Sequence, residues 1–176
     1  MKAFLLVALL ALTASARAQT VDEERIDSFA AAVARAEGFG VRRAVPTRYH
    51  NPGDIKSRPG VPTLPGQRAI GKGGHIVFRS DAYGWGALHE LIHKMLDGRS
   101  RHFSPDMTVE EVARRYAQNW RPWARIVCAQ LGAPPSARLG DVLAAGPDGP
   151  PLVAMPAAPP PSWLFDHPAA ASIRGE

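Results

Sequence analysis

Glycine and proline punctuate this chain so unevenly that they decide which parts can be helical. Five of its 17 prolines and seven of its 16 glycines fall between Phe39 and Gly74. Inside a helix each glycine costs about 1 kcal/mol and each proline about 3 kcal/mol relative to alanine. That stretch must therefore be built from turns and short strands. On either side of it, apolar residues recur at helical spacing. Ile26, Phe29, Ala30, Val33 and Ala34 form one stripe, on a helix expected to begin near Asp22 and stop at Gly38.

A second helix is expected after Ser80, with the stripe Leu88, Leu91, Ile92, Met95 and Leu96 and a stop at Gly98. Thr108 and Glu111 have capping-box spacing ahead of Val109, Val112, Ala113 and Tyr116. Pro122 suits the first turn of a fourth helix, which carries Ile126, Val127 and Leu131 and ends at Gly132. Ser136 is the expected cap of a last short helix through Val142 and Leu143. Within the irregular stretch, Gln67 to Ile70 and His75 to Phe78 read as strands of a hairpin turned by Gly71-Lys72-Gly73-Gly74. Asn51-Pro52-Gly53-Asp54 places proline and glycine where a type II turn wants them. The expected class is α+β with helices in the majority.

Both ends are set apart from this domain. Met1-Lys2, the apolar run Phe4 to Leu12 and the exit Ala16-Arg17-Ala18 have the three parts of a secretory signal peptide, residues 1–18. Its removal lowers the formal charge from +5 to +3 and places the mature chain in the periplasm or outside the cell. That setting argues against a nucleic-acid partner. No later run is long enough to span a bilayer, so no integral membrane span is expected. After a domain spanning residues 19–146, residues 147–176 form a Pro/Ala-rich tail. Its Trp163-Leu164-Phe165 cluster is where a protein partner, or the domain itself, would dock. The single cysteine, Cys128, excludes a disulfide framework and a cysteine-based zinc site, and its helical context makes it a core thiol.

Glu37 is the residue with the most chemical content. It lies eleven residues after Ile26 and four after Val33, which at about 100° per residue returns it to the apolar face. It also closes the helix. Burial and the negative end of the helix dipole both disfavour its charged form. A carboxylic acid kept protonated near neutral pH can serve as a general acid.

His89-Glu90-Leu91-Ile92-His93 matches H-E-x-x-H, in which two histidines on one helical face hold zinc and the glutamate acts as base. The context is poor. The histidines fall on the flank of an apolar stripe, Glu90 points away from it, and the position ten after His89 is Arg99 rather than a ligand. The match is read as accidental, and no metal or cofactor is expected.

Ala36-Glu37-Gly38-Phe39, Tyr49-His50-Asn51-Pro52-Gly53-Asp54-Ile55, Phe78-Arg79-Ser80 leading to Tyr83-Gly84-Trp85-Gly86-Ala87-Leu88, and Tyr116-Ala117 before Trp123 follow one another in a set order. Together they resemble the lysozyme-like proteins of bacteria and phages, whose pattern runs E-G, N-N-P-G-N, then phenylalanine and G-W-x-A-L. The resemblance covers roughly Ile26 to Leu131. It implies a lysozyme-like fold, with a helical lobe and a small β hairpin flanking a cleft. It implies peptidoglycan as the partner, cut between N-acetylmuramic acid and N-acetylglucosamine as a muramidase or a lytic transglycosylase would cut it. It places the catalytic acid at Glu37, the residue already reached from the helical face. Asn51, Asp54, Tyr83 and Tyr116 become candidate substrate-binding residues.

Two positions depart from the pattern: His50 stands for its first asparagine and Asp54 for its last. Asp54 is either a second catalytic group or a turn residue: if it faces Glu37 across the cleft, a two-carboxylate hydrolysis is open; if it does not, the single-acid lytic route is the natural one. Two rivals stand beside this reading. One is a zinc metallopeptidase built on His89, Glu90 and His93. The other is a non-catalytic cell-wall-binding or assembly protein.

Overall fold

The computed structural model describes residues 23–144. The signal-peptide and tail expectations lie outside them. Helices account for about 51% of the structure and the remaining regular element is one small antiparallel sheet, so the class is α+β. The order is α1 (Glu23–Ala36), α2 (Val45–Arg48), β1 (Gln67–Ile70), a 3-10 turn (Lys72–Gly74), β2 (Ile76–Phe78), α3 (Asp81–Leu96), α4 (Val109–Tyr116), α5 (Trp120–Leu131) and α6 (Leu139–Leu143).

α1 is the hub of the helical part. It packs most extensively on α5 and also touches α3 and α6. Ile26, Phe29, Ala30 and Val33 are all buried, as their spacing requires. They meet Leu88, Ile92 and Met95 of α3, Val109 and Val112 of α4, Val127 and Leu131 of α5, and Leu139 and Leu143 of α6 in one core. Each such side chain contributes about 1.5–3 kcal/mol through burial. Cys128 is in the same core, and burial pushes its thiol up from its ordinary value.

The helix ends are mostly local in origin. Gly38 takes φ 80°, and the Gly38 and Phe39 amides donate to the Arg35 and Ala34 carbonyls at 3.0 and 2.8 Å. This is a Schellman end, and it fixes Glu37 as the last residue of the helical path. At α4 both capping-box bonds form: Thr108 Oγ1 accepts from the Glu111 amide at 3.2 Å, and Glu111 Oε2 accepts from the Thr108 amide at 2.8 Å.

Three expectations shift. α6 starts from Arg138, not Ser136, because Ser136 lies in a turn closed by the Ala137 amide on the Pro134 carbonyl at 3.0 Å, and Arg138 is held extended by its β-bridge to Thr108. The hairpin turn is a 3-10 turn, and β2 begins at Ile76. α2 was not legible: four residues carry too little periodicity to show.

The sheet pairs Gln67 with Phe78, Ala69 with Val77 and Ile70 with Ile76, with a bulge between Gln67 and Ala69. Only Ile76 and Phe78 turn into the core. The hairpin joins the helices through β2, which packs on α3.

Candidate functional site around Glu37

α1 delivers Glu37 to the point where α4, α5 and the loop after α2 converge. Its amide donates to the Val33 carbonyl at 2.9 Å, so the backbone is still on the helical path. Its carboxyl is partly enclosed, and Oε1 accepts a 2.9 Å hydrogen bond from Trp123 Nε1 on α5. Trp123 is 2% exposed, so this donor is fixed by packing.

The Glu37 pKa rises from 4.5 to about 7. Burial is the main cause and the Asp54 charge adds to it; the Trp123 hydrogen bond and the Lys56 charge act in the opposite sense. The expectation from the helical face was a raised acid. The structure adds the neighbouring carboxylate, which local sequence could not place.

Tyr116 closes the inner side. Its ring centroid is 5.2 Å from that of Trp123 and 6.0 Å from that of Phe103. Its hydroxyl donates to the Gly53 carbonyl at 2.7 Å, tying α4 to the loop. Burial first, then the charges of Glu37 and Asp54, push that hydroxyl well above the ordinary tyrosine range, so it stays neutral.

Loop 51–54 is a turn, as the Asp54 amide donates to the Asn51 carbonyl at 3.0 Å. It is not a type II turn. Gly53 does not take a left-handed φ; Asp54 does, at 47°. Gly53 is needed for space instead: a Cβ there would stand 2.9 Å from Leu88 Cδ1 and 3.1 Å from the Tyr116 hydroxyl. Asp54 Oδ1 lies 2.7 Å from His75 Nδ1.

The structure thus brings Glu37, Asp54 and Tyr116 together. Asn51 is fully buried, and its side chain serves the loop. Nδ2 donates to the Ile55 and Ile76 carbonyls at 2.9 Å each, and Oδ1 accepts from the Ile55 amide at 2.9 Å. Asn51 therefore joins the loop to β2 and sets where Asp54 stands. Tyr83, in the first turn of α3, lies with its ring against Gly66 at the foot of the hairpin. Next to it, a Cβ on Gly84 would land on the His50 carbonyl, which explains glycine where α3 crosses the loop.

Three neighbours escaped the sequence reading as site residues: Trp123, Lys56 and His75. Trp123 carried a signal, being an aromatic with one polar atom on a core face. The other two had none, since their approach depends on the hairpin folding back.

The H-E-x-x-H residues lie on another side of α3. His89 Nδ1 is 3.6 Å from Asp27 Oδ1, and His93 Nε2 is 3.7 Å from Glu23 Oε2, both on α1. Burial lowers the pKa of His89. Glu90 Oε1 is 3.2 Å from Lys94 Nζ and 3.6 Å from Arg99 Nη1, so it is paired with cations rather than with the histidines. Among the described residues no group of three or more His, Cys, Asp or Glu side chains is arranged to hold a metal ion. No helix among them is long and apolar enough to cross a membrane. No family model, curated protein or solved structure matches the chain.

Proposed function

We propose that this protein cleaves the glycan strand of peptidoglycan, with Glu37 as the general acid, and that it works in the periplasm or outside the cell. The observation that carries the reading is the Glu37 carboxyl: partly enclosed, beside Asp54, and raised to about 7. Such a group holds a proton near neutral pH and can give it up to a glycosidic oxygen. The lysozyme-like order of motifs from Ala36 to Trp123 supplies the substrate class.

In the step we envisage, the Glu37 proton passes to the bridging oxygen as the bond from the anomeric carbon breaks. Positive charge then develops on the sugar. Asp54 is the second carboxylate close enough to act on Glu37 electrostatically. As an anion it favours that charge, and in a hydrolytic route it would serve a water or the sugar itself. In the lytic route the substrate's own hydroxyl bonds to the anomeric carbon to close an anhydro ring and gives its proton back to the Glu37 carboxylate, so only Glu37 is required. Trp123 keeps the carboxyl in one orientation, and Tyr116, held neutral, braces the loop that carries Asp54.

Digestion of purified sacculi tests this, with products identified by mass. Reducing muropeptides or 1,6-anhydro muropeptides, absent when Glu37→Gln replaces the wild type, are the expected result. Sacculi that are bound but not cut would support a non-catalytic cell-wall protein instead. Release of peptides without glycan cleavage would support a peptidase.

A further inference from the structure

Asp54 sits between the candidate acid and the hairpin in a backbone conformation that a non-glycine residue rarely adopts, φ 47°. Its Oδ1 is 2.7 Å from His75 Nδ1. Both atoms are buried, and neither has a well-aligned hydrogen bond among the described residues, so the two meet as a close ion-pair contact and not as an aligned hydrogen bond. Each is therefore the other's polar neighbour. Removing one leaves a buried charge or donor alone, which is costly.

The two residues reach this contact from different parts of the chain. Asp54 belongs to the turn that Asn51 ties down. His75 immediately precedes β2, pairs across a bridge with Lys56, and its carbonyl accepts from the Gly71 amide at 2.8 Å. The imidazole is thus anchored to the hairpin. The charged or titratable groups around this point are Glu37 from α1, Tyr116 from α4, Lys56 on the loop and His75 ahead of β2.

We propose that His75 is a positioning residue for Glu37: its ring holds the Asp54 carboxylate in place, so the influence of Asp54 on the acid lasts only while the imidazole is there. This rests on the reading of Glu37 as the acid. Without the ring, the carboxylate turns toward solvent or takes up a proton. Either change removes negative charge beside Glu37, which then binds its own proton less tightly. The hairpin in this way takes part in setting the pH range of the site.

The test reads the proton on Glu37 directly, by carbon-13 NMR titration of its carboxyl in the full chain without substrate. The proteins are wild type, His75→Gln, His75→Asn, Asp54→Asn and the double variant His75→Gln/Asp54→Asn. The amide of Asn occupies the place of imidazole Nδ1, whereas that of Gln follows Nε2. His75→Gln is expected to lower the Glu37 proton affinity by about threefold or more, in the same direction as Asp54→Asn. In the double variant, His75→Gln should add nothing to Asp54→Asn, because its effect runs through the carboxylate. His75→Asn should titrate close to wild type.

The basic limb of the pH–rate profile should move to lower pH in His75→Gln and not in His75→Asn. Equal shifts with and without Asp54, no shift at all, or Asn behaving as Gln would each overturn the proposal. If His75→Gln does not fold, His75→Leu, which fills the space without a polar atom, takes its place in the same comparisons, with the same downward shift expected and no shift overturning the proposal. An active Glu37→Gln variant would remove the functional reading while leaving the measured coupling intact. An inactive one without coupling would remove the role of His75 alone.

Discussion

Replacing Glu37 by Gln is expected to remove a defined component of the pH dependence of stability. The unfolded chain loses the Glu37 proton near 4.5, whereas the folded chain keeps it until about 7. Between those values the folded state binds more protons, so its stability falls as pH rises. Below that window both states are protonated and the penalty is absent; above it the penalty is complete. The gap of about 2.5 pH units corresponds to about 3 kcal/mol, at roughly 1.36 kcal/mol per unit. Glu37 is not wholly enclosed, and solvent screening brings the figure to about 2 kcal/mol.

Gln has the same shape, and its Oε1 can still accept from Trp123. The substitution should therefore change little at pH 4. Urea unfolding of both proteins at pH 4 and pH 8 checks this. The Gln protein should be about 2 kcal/mol more stable than wild type at pH 8 and nearly equal to it at pH 4. Its cleavage of sacculi should fall by about 10² to 10⁴. A stability difference that is the same at both pH values would refute the assignment of a perturbed acid. A folded variant with wild-type activity would refute its role.

Trp123→Phe removes the donor that favours the charged form of Glu37, so the basic limb of the pH–rate profile should move to higher pH. A limb that stays in place would show that the 2.9 Å bond does not tune the acid. Gly84→Ala drives a methyl group onto the His50 carbonyl, and overpacking of this kind costs about 1–3 kcal/mol; thermal melting should show a clear drop. The double change His89→Gln and His93→Gln should leave cleavage of sacculi essentially unaltered, and a chelator should not inactivate the protein. Stoichiometric zinc lost together with activity would favour the peptidase.

What the sequence determined by itself was local. The Ile26, Phe29 and Val33 stripe, the glycine that ends α1 and the capping box of α4 each depend on residues within a few positions of one another. So does the placing of Glu37 on the inner face, since the helix sets that phase without help from the rest of the chain. Asn51 and the turn after it were legible as a turn but not in kind. Gly53 does not take the left-handed φ of a type II turn, and its bare Cα is needed for space against Leu88 and Tyr116, which arrive from α3 and α4. Tertiary structure alone decided that Trp123, 86 residues further on, donates to Glu37, and that His75 meets Asp54. These contacts depend on how α5 and the hairpin pack around α1. Periodicity reports which face of an element is inward. It does not report which polar atom of another element will be waiting there, and the proton affinity of Glu37 is set by those atoms.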